Sequence, residues 1–328
     1  MKAVWFEEFG TASEVLKLGE QPTPTPGPGE VLVKLAYAGV NPSDVKKRAG
    51  AFPNLLDGGL VIPNSDGAGL ITEVGEGVSI DRVGERVFVY QGQYGRRFGT
   101  TAEFIAIDEK RAPRLPESAD LAVGACIGIP IMTAHRCVFA DGPVAGQNIL
   151  ITGGAGRVGY YAIQWAVNAG ANVIATASTA DDTELCLNLG ASAVINHREA
   201  NWGEQVVDAL KGAKVDRVVD VEFGANLPEV LKCIRIGGTI ATYSSTQVAN
   251  PQLPFRDMMF MDLTLRMVIV YAMPESAKEH AVSDTYQALA DGWMEHRIAH
   301  KVPLSDPARA HELIENGGFR GCVVIEID

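Results

Sequence analysis

The sequence predicts an α/β protein in which a doubly wound parallel sheet is joined to a compact, barrel-like β domain. Three observations predict it. Between about residues 125 and 266, short apolar runs alternate with helical ones; a Gly-x-Gly-x-x-Gly turn directly follows the first of those runs; and the first 124 residues are short strands punctuated by glycine and proline. The chain has 328 residues, enough for two packed domains, and its 47% hydrophobic and 21% charged residues are ordinary for a globular protein.

The N-terminal part opens with the run Pro22-Thr23-Pro24-Thr25-Pro26-Gly27-Pro28-Gly29, which cannot enter a central strand or helix and reads as a stiff surface connector. Glu30 to Ala38 reads as a strand, partly alternating, and Gly67 to Val78 and Gly84 to Tyr90 as glycine-punctuated strands. Next come a strand over Asn148 to Thr152, a helix from Arg157 to Ala169 ended by Gly170, and a strand from Asn172 to Ala177. A helix from Thr183 to Leu189 is closed by Gly190, and Ser192 to Ile195, Val215 to Asp220 and Gly238 to Tyr243 supply three further strands. Leu265 to Tyr271 reads as an apolar strand at the edge of that sheet; one helix (about 276–297) and a strand from Cys322 to Ile327 complete the chain. The expected division is 125–266 for the doubly wound domain and 1–124, with 267–328 returning to it, for the β domain.

Several functions are argued against. The net charge of −12 disfavours a nucleic-acid groove, which needs clustered Lys and Arg. No apolar run approaches the roughly 18 residues of a membrane helix, and Met1 to Glu8 does not read as a signal peptide, so no membrane partner and a cytoplasmic location are expected. The five cysteines, Cys126, Cys137, Cys186, Cys233 and Cys322, are far apart and lack a CxxC pair, which disfavours a disulfide framework or a zinc lobe.

The chemistry is clearest at Gly154-Ala155-Gly156-Arg157-Val158-Gly159. The first glycine permits a tight turn, the second a close approach of pyrophosphate to backbone, and the third close helix–strand packing, with the helix N-terminal amides facing the phosphates. This is a Rossmann dinucleotide turn in the context the motif requires. About 20 residues on, an NAD enzyme places Asp or Glu; here stand Thr176-Ala177-Ser178-Thr179, and Asp181 and Asp182 read as first-turn residues of the next helix. Small hydroxyls leave room for a 2′-phosphate. His197 and Arg198, past the third strand, either add positive charge to it or are solvated loop residues. NADPH is favoured over NADH.

Asn41-Pro42-Ser43-Asp44 with Arg48-Ala49-Gly50, Pro63-Asn64-Ser65-Asp66-Gly67-Ala68-Gly69 and Asn196-His197-Arg198-Glu199 together resemble the zeta-crystallin-like quinone-reductase family, the zinc-free branch of the medium-chain dehydrogenases/reductases. The resemblance runs from Met1 to the C-terminal strand. It implies a GroES-like catalytic domain beside the Rossmann domain, with the active site between them. It also implies transfer of hydride from NADPH to a quinone or α,β-unsaturated carbonyl, with enoyl-thioester reduction or a low-activity NADPH-binding sensor as alternatives. Zinc enzymes of the superfamily carry a Cys where Gly39-Val40-Asn41 stands and Gly-His-Glu where Ser65-Asp66 stands, so no metal is implied. The resemblance places Asn41 and Thr133 at the nicotinamide as the catalytic pair, and Ala155 to Val158 at the pyrophosphate. Ser178 and His197 would lie toward the adenosine phosphate, and Asn226, Tyr243, Ser244, Ser245, Thr246, Ile269, Val270 and Tyr271 along the rest. Bland alternatives stand beside these: Asn41 as a turn former, Asp44 as a helix cap, Thr133 bonding back to its helix, Tyr90 and Tyr94 as surface aromatics, Lys46 and Lys47 as solvated. Lys46 stands where the family has a tyrosine, Phe52 replaces a second, and Asp182 and Gly317 stand where some relatives hold the 2′-phosphate with Lys and Arg. The family also implies a homodimer or homotetramer, joined at the apolar edge near 265–271.

Overall fold

A computed structural model describes residues 1–327. The chain forms two compact units: Met1–Ile129 together with the return from Val282 onward, and Pro130–Ala281. These divisions fall a few residues beyond 124/125 and fifteen beyond 266/267.

In the first unit the strands are β1 (Lys2–Trp5), β2 (Lys17–Glu20), β3 (Glu30–Val40), β4 (Asp66–Val74), β5 (Arg86–Val89) and β6 (Phe104–Asp108). In the second they are β7 (Asn148–Ile151), β8 (Asn172–Ala177), β9 (Ala193–Asn196), β10 (Val215–Asp220), β11 (Ile234–Thr242) and β12 (Thr264–Met267); β13 (Ile298–Pro303) and β14 (Cys322–Glu326) return to the first. Strand β3 is long because it is the hub of its sheet: it pairs antiparallel with β14, β4 and β6, in the order β13-β14-β3-β4-β5 with β6 off that path. Its inward residues Val31, Val33 and Leu35 meet Ile71, Val87, Ile105 and Ile325 in a dry core. Burial of such side chains is the main favourable term, each contributing about 1.5–3 kcal/mol.

The second unit holds a six-stranded sheet in the order β12-β11-β10-β7-β8-β9, parallel at every pairing. Chain order runs outward from β7 in both directions, so the topological switch point lies between β7 and β10, where doubly wound sheets bind ligands. The predicted helix after the glycine turn spans Arg157–Asn168, and the next, Ala180–Asn188, starts three residues earlier than expected because the Thr179 side chain caps it by accepting from Asp182 N–H at 3.2 Å.

Beyond Thr264 the sequence reading is corrected in two respects. The apolar run is only partly a strand: β12 ends at Met267, and Val270–Ala272 is a 3₁₀ turn that buries Val270 and Tyr271. The C-terminal stretch holds more than one helix and one strand, since β13 and the helix Pro307–Asn316 lie between the helix Glu275–Asp291 and β14.

Candidate functional site

The second unit shapes a glycine-rich cradle at the switch point. The tight turn after β7 is made by Gly153, whose φ of +61° suits glycine, rather than by Gly154 as the motif suggested. Gly154 is a packing glycine: a Cβ there would lie 2.8 Å from Cys186 Sγ and 2.9 Å from Ala175 Cβ. A Cβ on Gly159 would overlap Gly153 O. Gly156 differs. It is the N-cap of the helix Arg157–Asn168, and a Cβ on it would meet only Gly153 O, at 3.1 Å. The fold requires two of these glycines for its own packing; at Gly156 a Cβ would crowd a single backbone oxygen, and only by a few tenths of an ångström.

Side chains lock the cradle in place. Gly153 N–H donates to Thr176 Oγ1 at 2.9 Å, and Gly154 N–H to Thr176 O at 3.0 Å, so the hydroxyl of Thr176 is turned to the loop. Thr152 Oγ1 donates to Asp220 Oδ1 at 2.6 Å and accepts from Val221 N–H at 2.9 Å, tying the ends of β7 and β10 together. Asn226 Nδ2 donates to the same Asp220 oxygen at 2.7 Å. Burial raises the Asp220 pKa against the pull of Thr152 and Asn226. After β10 the Glu222 carboxylate accepts N–H bonds from Thr246 (2.8 Å) and Gln247 (2.9 Å), which follow β11, while Ser245 Oγ accepts from Gly224 N–H at 2.9 Å, so the segment Tyr243 to Thr246 is tethered to the start of the helix Phe223–Cys233. Ile269 is 55% exposed, whereas Val270 and Tyr271 are buried.

At the end of β8, Ala177 is buried, Ser178 half-buried, and Thr179 occupied as the helix cap. Asp181 and Asp182 do stand in the first helical turn, but Asp182 is buried and its charge acts on His197, which follows β9. Burial and neighbouring Arg198 push the His197 pKa down; Asp182 opposes them. Thr133 lies buried within the helix Gly128–Phe139.

The first unit holds a second polar centre. Asn41 caps the helix Pro42–Arg48, and its backbone N–H donates to Asp44 Oδ2 at 2.9 Å, so Asp44 is the capping-box partner at the third helical position. The Asn41 amide is spent elsewhere: Nδ2 donates to Asp66 Oδ2 at 2.8 Å, which also accepts Ile129 N–H at 2.9 Å. Lys47 is a correction to the sequence reading. It is 5% exposed, and its ammonium donates to Gln93 O at 2.6 Å and Ser65 Oγ at 3.4 Å. Its neighbour Lys46 is exposed, as expected. Tyr90 is buried with its hydroxyl accepting from Arg111 Nη1 at 2.7 Å, not a surface aromatic, whereas Tyr94 is largely exposed. Burial raises the pKa of Asp44, against the charge of Lys47, and raises Asp66 to about 7, against the Ile129 N–H and with the Asp44 charge adding to it. Lys47 is pushed down by burial and held up by Asp44 and Asp66. Sequence reasoning missed this cluster, although the Asp44–Lys47 spacing, one helical turn, was a usable signal.

Family models match two parts of the chain: "Alcohol dehydrogenase GroES-like domain" over residues 27–117 and "Zinc-binding dehydrogenase" over 158–287. A "Quinone oxidoreductase" of Rattus norvegicus is 31% identical over 331 residues, covering 99% of this chain and 97% of that protein. Among solved structures, a mycobacterial quinone oxidoreductase superposes with a TM-score of 0.88 at 27% identity, covering 99% of both chains. A mycobacterial structure complexed with NADPH superposes with a TM-score of 0.86 at 27% identity, covering 99% of this chain and 100% of the other. The donor set does not fit the zinc in the second family description. At the expected ligand positions Asn41 presents an NH₂ group, Ser65 contacts Lys47, and Asp66 Oδ2 is filled by two N–H donors, while the Lys47 ammonium acts on the carboxylates a dication would need. No cluster of three or more His, Cys, Asp or Glu among the described residues could hold a metal. The chain is an oxidoreductase of the quinone oxidoreductase family, within the medium-chain dehydrogenase/reductase superfamily.

Proposed function

We propose that the protein reduces a quinone or α,β-unsaturated carbonyl with NADPH and without zinc. The observation that carries this is the Gly156 cradle at the switch point, in a chain whose zinc-ligand positions hold an amide, a hydroxyl and a carboxylate beside the Lys47 ammonium. Among the three motif glycines, Gly156 is the one least needed for the chain's own packing, which supports a role toward a dinucleotide.

Gly154 to Gly159 and the first amides of the helix Arg157–Asn168 would hold the pyrophosphate. Ser178, His197 and Arg198 would face the adenosine phosphate, and Asn226, Tyr243 to Thr246 and Ile269 to Tyr271 would line the remainder. NADPH, when bound, supplies a hydride to an electron-poor carbon that conjugation has already activated. The protein's contribution is positioning and electrostatics. Asn41, held by Asp66, and Thr133 would orient nicotinamide and acceptor, and water supplies the proton that completes the reduction. Absence of a carboxylate at Thr176 to Ser178 removes repulsion of a 2′-phosphate. The exposed Met267 and Ile269 at the β12 edge support assembly as at least a dimer.

The test is a panel of a quinone, an enone and an enoyl thioester, each assayed with NADPH and NADH. NADPH oxidation with the quinone or enone, undiminished by chelator, is expected. Turnover of the enoyl thioester alone, a higher kcat/KM with NADH, or activity lost with one zinc per chain overturns the reading.

A further inference from the structure

The proline run from Pro22 has a structural consequence that hydride transfer does not use. Beneath it the first unit encloses a cavity of about 360 Å³, lined by no residue of the cradle or of the Asn41–Asp66–Lys47 cluster. Its walls are mainly apolar, with Leu60, Ile62, Phe98 and Phe104 among them; its charged side chains are Arg96 and Arg97, and the N-terminal ammonium of Met1, also in the lining, is taken by Gln21 O and Glu20. Both guanidinium groups are fixed at the wall by a single hydrogen bond to a carbonyl of another lining residue. Arg96 Nη2 donates to Ala106 O at 2.6 Å, and Arg97 Nη1 to Leu60 O at 3.3 Å, with Arg97 also over the Phe98 ring at 5.1 Å. A guanidinium has five N–H donors, so most of each fork is unspent. Neither arginine is ion-paired with a carboxylate among the described residues.

Cations half-withdrawn from water are costly unless an anion meets them. Burial lowers the pKa of Arg96, and the one carboxylate acting on it is Glu30, which already accepts Gly27 N–H at 2.9 Å. We propose that this cavity binds a small apolar monocarboxylate, aromatic or branched, with its carboxylate on Arg96 and Arg97 and its hydrocarbon against Phe98, Phe104 and Leu60. The volume lies at the small end of the roughly 300–1,000 Å³ of ligand pockets, which suits one such molecule. Planar two-oxygen recognition is what an arginine fork provides.

Isothermal titration of the full chain with 3-phenylpropanoate, its neutral amide and acetate tests this. Saturable one-to-one binding of the acid is expected, with the amide at least tenfold weaker and acetate giving no saturable heat. Arg97→Met should weaken the acid at least tenfold without changing the amide, since a charge-assisted hydrogen bond is worth about that factor. Arg96→Met should do the same, and Leu60→Trp should abolish both by filling the space. If Arg96→Met fails to fold, Arg97→Met decides. Equal affinity for acid and amide, saturable acetate binding, or acid affinity unchanged in Arg97→Met overturns the proposal.

Discussion

Replacing Asp66 with Asn isolates the electrostatic cost of the buried centre in the first unit. Asp66 is fully buried, and its pKa rises from the ordinary 3.8 to about 7. The folded chain therefore keeps a proton that the unfolded chain has released between those values. Stability from this group is fully present below 3.8, falls as pH rises through the window, and is level above 7. Each pH unit is worth about 1.4 kcal/mol, so the wild type loses about 3 kcal/mol from this group between pH 5 and pH 8. Asn cannot ionise. Its carbonyl can take over the bonds from Asn41 Nδ2 and Ile129 N–H, and its NH₂ would replace Oδ1, which has no hydrogen-bond partner in the protein. Asp66→Asn should thus gain about 3 kcal/mol over wild type on going from pH 5 to pH 8, a relative rise in Tm of roughly 6–12 °C for a domain of this size. Differential scanning calorimetry of both proteins at the two pH values measures it. A Tm difference that is the same at pH 5 and pH 8 would refute the buried-charge account.

Gly156→Val should retain the fold, because a Cβ there meets only Gly153 O at 3.1 Å, yet weaken NADPH at least a hundredfold in a fluorescence titration; Gly159→Ala, whose Cβ overlaps Gly153 O, should lower Tm instead. Lys47→Met should cost about 3–5 kcal/mol in urea unfolding by leaving buried carboxylates without their cation, and adding Asp44→Asn should restore most of it; a double variant no more stable than the single one contradicts this. His311 is fully buried beside Arg48, and burial drives its pKa from 6.5 to about 3, so stability should fall as pH drops from 6.5 toward 3 by about 1.4 kcal/mol per unit. His311→Met should flatten that acid limb, and an unchanged limb would remove His311 as its source. Ser178→Asp should shift kcat/KM toward NADH by placing a carboxylate where a 2′-phosphate would lie; an unchanged ratio would move the phosphate site elsewhere.

Much of this was legible because period and punctuation are local properties. The alternation of β7, β8 and β10 with helices needs only the order of apolar runs, and Gly154 to Gly159 needs only its neighbours. The stretch from Val268 to Tyr271 misled because an apolar run has the same composition whether its residues pair in a strand or are buried by a turn, as Val270 and Tyr271 are. The strand Ile298–Pro303 carries His and Lys among its apolar residues and shows no clear period. The helix Pro307–Asn316 was marked by a proline at its first position and Gly317 at its end, a signal that was available and passed over. The Asp44–Lys47 spacing hinted at the buried pair, but the hydrogen-bond partners of Lys47 were illegible: Ser65 and Gln93 lie 18 and 46 residues away, and only the fold brings them to its ammonium.

That cluster also explains how the scaffold dispenses with a metal. A zinc ion would bring two positive charges to the ends of β3 and β4, and its carboxylate and thiolate ligands would neutralise them. Here the buried centre carries the acids Asp44 and Asp66 and the single cation Lys47, an excess of one negative charge if all three ionise. Burial reduces the excess by holding the Asp66 proton up to about pH 7, so the centre is close to uncharged below that pH and carries about half of the excess at it. The hydrogen bonds then do what coordination would have done: Asp66 holds the Asn41 amide, Asp44 holds its backbone, and Ser65 and Gln93 hold the ammonium. Asn41 is consequently fixed from both its main chain and its side chain. Restoring a cysteine at 41 alone would not recreate a metal site, because Lys47 would remain beside the carboxylates that must receive the ion.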